Sequence, residues 1–230
     1  MSAEAYFEEV IALLHRLRDE SLADIINAGN AVARALEDGH RVWVTNTAHG
    51  VAHEVTKRAG GFIAVHELID VVHMQPGDCV LIGSPVGVAN HTLSFALGAS
   101  ERGGIVVALT NVAFELEPST IIEHPSGKRL HEVADIVVDI GGPTGDGVFE
   151  LTDLGFRVIP HSGVTLVTAL WMIFSEALAA MKSHGLIPRL YQCDMVQGAR
   201  ERNALQIAGY VATGAGYLDE SEVSQIASAG

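Results

Sequence analysis

Apolar residues recur with helical spacing along the first forty residues of the chain. Phe7, Val10, Ile11, Leu14 and Leu17 share one face, and Leu22, Ile25, Ile26, Gly29, Val32 and Leu36 continue the stripe. This pattern predicts a helical arm over residues 1–38, stopped at Gly39. The pattern then changes. "RVWVTNTAHG" reads as a short strand running into a polar loop, and residues 50–59 read as helix closed by Gly60 and Gly61. "FIAVHELIDVV" fits strand or helix. "PGDCVLIGSPVG" reads as a turn, a strand at Cys79–Ile82 and a polar loop. "VANHTLSFALGASERGG" reads as a helix, and "IVVALTN" as a strand apolar on both faces, as in buried parallel sheets.

Further along, Ser126 is placed to cap a short helix over Gly127–Ala134, and "DIVVDI" is the next buried strand. The Gly-rich loop "GGPTGDG" follows it, at a strand's C-terminal end. An apolar helix over 162–184 should pack centrally, followed by an amphipathic segment at 199–211. Strands alternating with helices imply βαβ units and a doubly wound parallel α/β sheet. The expected organisation is a single domain over 1–211 and a Gly-, Ser- and Ala-rich tail over 212–230, with a short helix near Glu220.

Composition sharpens the picture. A hydrophobic content of 48% in 230 residues suits one large core, and 24 glycines suit many turns. The net charge of −14 argues against nucleic acid and against an anionic membrane surface. A small anionic ligand is still compatible, because a local pocket can oppose the global charge. Cys79 and Cys193 form no metal motif or disulfide framework. "MSAEAYFEEV" lacks the basic and apolar regions of a signal peptide, and "VTLVTALWMIF" is about half a membrane span of ~20 residues. A cytoplasmic, reduced protein is the expectation.

Three sequence-distant loops should meet above the strands' C-terminal ends, where open α/β sheets bind ligands. They are Thr45-Asn46-Thr47-Ala48-His49, Ser84-Pro85-Val86-Gly87 and Pro160-His161-Ser162. Each precedes a predicted helix, whose free N–H groups suit phosphate or carboxylate. For any one loop, helix capping explains the residues equally well. "HGVAHE" places His49 and His53 on one face if helical, about 6 Å apart along the axis. That pair suits a divalent metal or an acid and a base, although it lacks the further ligands of a full zinc motif. Lys128 and Arg129 are secondary anion-binding candidates.

The order of elements resembles the sugar isomerase (SIS) domain family, in particular a phosphoheptose-isomerase-like subfamily. "RAGG" at 58–61, "HPSGKRL" at 124–130, "ADIVVDI" at 134–140, "GPTGD" at 142–146 and "ERN" at 201–203 carry the resemblance over most of residues 5–210. It implies a flavodoxin-like SIS fold with an N-terminal helical arm and hydroxyl-rich loops that bind phosphosugars. Ala48 and Val86 stand where the subfamily carries hydroxyls, and His53 stands in place of a carboxylate. The implied activity is aldose–ketose isomerisation of a sugar phosphate or related anionic sugar through an enediol. His53, Glu54, His49 and His161 are then the acid–base candidates. Thr45, Asn46, Thr47, Ser84 and Ser162 are the substrate-binding candidates. No separate cofactor is required. The alternative is a non-catalytic module that binds such a sugar for regulation. The long apolar stripe of the arm exceeds what one sheet should cover, so a homodimer or larger assembly is expected.

Overall fold

The structure, a computed structural model, describes residues 1–229. The elements in chain order are α1 (Ala3–Glu37), β1 (Val42–Thr45), α2 (Val51–Val55), β2 (Val65–Leu68), β3 (Cys79–Gly83), α3 (Asn90–Glu101), β4 (Ile105–Thr110) and α4 (Val112–Leu116). They continue with β5 (Ile136–Asp139), β6 (Gly147–Leu151), β7 (Phe156–Pro160), α5 (Ser162–Ser183), β8 (Ile187–Pro188), α6 (Ala199–Thr213), β9 (Tyr217–Leu218) and α7 (Glu220–Ser228).

The first five strands form one sheet in the order β2-β1-β3-β4-β5, with every pairing parallel. This is the doubly wound α/β architecture expected from the alternation of strands and helices. Every residue of β1 and β3 is buried, so their runs are continuously apolar rather than alternating. One core lies between the sheet and helices α1 and α5, with Ile25, Val32, Val44, Leu81, Leu166, Leu170 and Phe174 at its centre. A smaller core on the opposite face joins Trp43, Val80, Ile82, Ala96 and Leu130.

Several local expectations are corrected. The helix expected over 50–59 is confined to Val51–Val55. Thr56 turns extended, its hydroxyl donates to the Ala52 carbonyl, and Lys57 adopts a left-handed φ of 51°. The chain beyond is held by tertiary pairing instead, with Gly60 N–H donating to Tyr191 and Ile63 N–H to Arg189. The helix expected over Gly127–Ala134 is a single 3-10 turn at Leu130–Glu132. Ser126 closes a turn between His124 and Lys128 rather than capping a helix, because Gly127 takes a φ of 69°. The antiparallel hairpin β6–β7 was not anticipated, although "GVFELTDLGFRV" carries the alternation and the turn that encode it.

The apolar stretch around Val164 belongs to a 22-residue helix, so it is long and apolar enough to cross a membrane by length and composition. Here it packs along α1 as a core helix. Residues 217–228 are tied to the body. Strand β9 pairs with β8, and Glu222 forms a bidentate ion pair with the buried Arg189 at 2.8 Å. Backbone carbonyls of Ala215 and Gln206 accept the remaining guanidinium donors, which keeps that buried charge solvated by protein.

Helices α1 and α5 approach closely at Gly29. A Cβ built there would lie 2.4 Å from Glu176 Cβ and 2.9 Å from the Ile173 carbonyl oxygen. Gly29→Ala should therefore overpack the crossing by about 1–3 kcal/mol. This outweighs the roughly 0.5–1 kcal/mol gained by replacing a mid-helix glycine. Urea unfolding is expected to show a lower midpoint with an unchanged slope; an equal or higher midpoint would mean that the helices have slack at this point.

Candidate functional site

The C-terminal ends of the parallel strands do bring the three loops together, through side chains that bond to one another. Thr45 and Thr47 hydroxyls lie 3.0 Å apart, and Thr47 donates to the Gly83 carbonyl at 2.8 Å, joining the first loop to the second. Ser84 is buried, and its hydroxyl accepts from Gly87 N–H and lies 3.4 Å from the Thr92 hydroxyl. The first loop reaches the start of α5 through His49, whose Nε2 is 2.7 Å from Ser162 Oγ. Ser162 Oγ donates to Asp146 Oδ2 at 2.8 Å, so His49 Nε2 must be the donor to Ser162. Asp146 Oδ1 also accepts from the Ser162 backbone N–H. Most of the expected hydroxyls are thus engaged within the protein, and Asn46 is exposed at the loop tip.

The expected cluster of His49, His53 and Glu54 is not formed. His49 has a left-handed φ of 51° and precedes the helix, which begins only at Val51. It therefore does not share a helical face with His53. His53 turns to Glu67, with Nε2 3.5 Å from the carboxylate, and Glu54 turns to Arg58 at 3.0 Å. Among the described residues no three His, Cys, Asp or Glu side chains converge as metal ligands. Lys128 is exposed, while Arg129 donates through Nε to the Glu115 backbone carbonyl and acts as a lock on α4.

His161 is the most unusual of the expected residues. It is 1% exposed, and neither ring nitrogen has a hydrogen-bond partner. Asp146 Oδ1 stands 3.5 Å from its Nε2. Burial pushes its pKa below the ordinary histidine value, against the pull of Asp146, with the Arg157 and His49 charges adding to the lowering. The ring rests on Gly142, where any Cβ would collide with it. Gly142 also lines a cavity of about 330 Å³ with Arg16, Arg157, Pro143, Val148 and Glu9. Around this point His49, Asp146 and Ile159 all hold left-handed φ values near 51–64° without being glycine. For the β-branched Ile159 this is a true outlier, and such strain gathers at functional sites.

Two acidic groups here escaped the sequence reading. Asp146 sits in the Gly-rich loop and bridges it to α5. Glu115 is fully buried beneath Gly87, with Thr110 Oγ1 donating to one carboxylate oxygen and the His131 ring 2.7 Å from the other. Burial raises its pKa, while the bonds from Thr110 and His131 oppose the rise. Leu130 N–H donates to the Gly87 carbonyl, so the "HPSGKRL" segment and Glu115 together fix the second loop from behind. The only signal for Glu115 was its place four residues after Asn111, just beyond a buried strand.

Because His161 is held neutral by burial, the unfolded chain takes up a proton that the folded chain refuses as pH falls through about 6.5. The stability from this group is complete above that pH and is lost below it, at most about 1.4 kcal/mol per pH unit. Thermal unfolding between about pH 7 and pH 5.5 should fall more steeply for the parent than for His161→Asn. Parallel curves would show that His161 is not held neutral. His66, which burial lowers in the same sense, is present in both proteins and cancels.

Comparison with known proteins agrees with this architecture. The profile of the SIS domain family matches residues 5–74. A UPF0309 protein of Caldanaerobacter subterraneus subsp. tengcongensis is 28% identical over 239 residues, covering 90% of this chain and 96% of that protein. A UPF0309 protein of Brucella canis is 28% identical over 236 residues, covering 90% and 95%. Among solved structures, the phosphoheptose isomerase of Neisseria gonorrhoeae superposes with a TM-score of 0.54 at 12% identity, covering 78% of this chain and 96% of that one. The phosphoheptose isomerase of Francisella tularensis gives 0.53 at 16%, covering 76% and 100%. At such identities the superpositions speak for the fold alone. By sequence the chain is similar to the UPF0309 proteins, and it shares its doubly wound fold with the two isomerase structures it superposes on.

Proposed function

We propose that this protein binds a sugar phosphate or a related anionic sugar and isomerises it between aldose and ketose. The observation that carries the reading is the buried, unpartnered His161 imidazole resting on Gly142, with Gly142 also lining the Arg16–Arg157 cavity. A cavity of about 330 Å³ is within the range of small-molecule sites, and two guanidinium groups suit an anion in a chain of net charge −14. Isomerisation needs a group that carries a proton between neighbouring carbons through an enediol. A neutral imidazole can accept that proton and return it. His49, Ser162 and Asp146 would hold the start of α5, and with it His161, directly behind Gly142, so that a shift of the Gly142 loop would bring the ring to the sugar. The names of the structural neighbours support a sugar phosphate as the ligand class.

One observation favours the non-catalytic reading. Thr45, Thr47 and Ser84 are already hydrogen-bonded within the protein, which leaves fewer hydroxyl donors for a phosphate than the resemblance implies. A panel of aldose and ketose phosphates followed by NMR separates the two readings. The parent should interconvert at least one pair, and His161→Asn should slow it by about 10²–10⁴-fold. Arg16→Ala should diminish the ligand-induced rise in melting temperature. Binding without turnover, still sensitive to Arg16, would establish the binding module. Neither binding nor turnover would refute both.

We also propose that the chain self-associates through the outward face of α1, where Phe7, Leu22 and Ile26 are exposed within about 100° of arc. Light scattering is expected to give a dimer or larger, shifted toward monomer by Leu22→Glu with Ile26→Glu; a monomeric parent at micromolar concentration overturns this.

A further inference from the structure

A cavity of about 880 Å³ lies away from the loops just described, beside the edge strand β2 and under α6. Its lining combines three features. The first is an aromatic wall. His66 stacks on Tyr210 with ring centroids 5.5 Å apart, and their polar atoms are 2.6 Å apart; Trp43 lies 5.6 Å from His66, and Tyr191 closes another side. The second is a pair of exposed cations, Arg41 and Lys57. Among the described residues neither forms an ion pair, in a chain where acidic residues outnumber basic ones by 28 to 14. The third is a set of fixed polar groups, Thr56 and the His53–Glu67 pair, between apolar Ile63, Val65 and Ile207.

We infer that this cavity is a second ligand site, specific for a small molecule that joins a flat ring to an anionic group, of the nucleoside monophosphate class. A planar base gains from an aromatic wall through stacking, which is tolerant of the ring's identity. The phosphate meets Arg41 and Lys57, whose charges no carboxylate already neutralises. Burial lowers the His66 pKa, and the nearby Arg41 and Lys57 charges add to the lowering, so the ring favours its neutral form. Neutral His66, the Tyr210 hydroxyl and the Glu67 carboxylate are the groups that can read donors and acceptors on the ring edge. The volume exceeds that of the Arg16–Arg157 cavity more than twofold, which suits a ring plus a sugar phosphate rather than a sugar phosphate alone. His53, singled out in the sequence for the other site, belongs to this one.

Calorimetric titration of the full chain with AMP and UMP tests the inference. Saturable binding is expected. It should weaken by at least about tenfold in the Arg41→Ala/Lys57→Ala double variant, both positions being exposed, and stay unchanged in Arg16→Ala. In Arg16→Ala, where the smaller cavity is disabled, adenosine and ribose 5-phosphate, each lacking one half of the ligand, should bind at least about tenfold more weakly than AMP. Absence of nucleotide binding, or equal affinity in the double variant, would overturn the site. Loss of AMP binding in Arg16→Ala alone would place the nucleotide in the other cavity and equally overturn it. Ribose 5-phosphate binding as tightly as AMP in Arg16→Ala would remove the ring from the recognition.

Discussion

The close crossing of α1 and α5 at Gly29 is the constraint on which the rest of the molecule depends. Together these two helices pack on one face of the parallel sheet, and the main core is formed between them, α2 and the strands. A side chain at position 29 would push them apart and open that core. The crossing also sets where α5 begins. Its first turn is delivered to the C-terminal ends of the strands, where Ser162 meets His49 across 113 residues of chain. The contact between loop and helix is therefore a consequence of core packing and not a local property of either segment.

The acidic chain manages its few buried ionisable groups in different ways. Arg189 is buried with a complete set of partners, the Glu222 carboxylate and two backbone carbonyls. Glu115 is buried with donors on both oxygens. His161 is buried with none, and it remains neutral because an unpaired charge in that environment is too costly. A fully satisfied buried group stiffens a structure. An unsatisfied one calls for an explanation, and His161 stands directly behind Gly142, which lines the smaller cavity.

The exposed cations show the same logic at the surface. Some Arg side chains pair with carboxylates, as Arg58 does with Glu54 and Arg18 with Asp19. Arg41 and Lys57 stand beside aromatic rings instead, and Arg157 is fixed to backbone carbonyls at the mouth of the smaller cavity. Each of the two cavities thus carries basic side chains in a chain whose overall charge is negative.

Much of this was legible in the sequence. The apolar period of 3.6 marked α1, a long apolar run marked α5, and continuous apolar runs marked β3 and β4 as strands buried on both faces, while β5, read as buried, lies at the sheet edge with alternating burial. The loops at the ends of β1 and β3 and before α5 were legible as helix starts from their Thr, Ser and Gly residues. The directions of the side chains were not. His49 and His53 are four residues apart, yet a left-handed residue at 49 and a helix start at 51 aim them at different partners. Glu115 and Asp146 gave no sign of burial or bonding, and the cavity beside β2 is assembled from segments between Arg41 and Val211. Periodicity is written residue by residue, so the sequence determined the layers and their order. Which polar atoms meet is set by backbone dihedrals at a few loop positions and by how distant elements pack, and only the tertiary structure decided that.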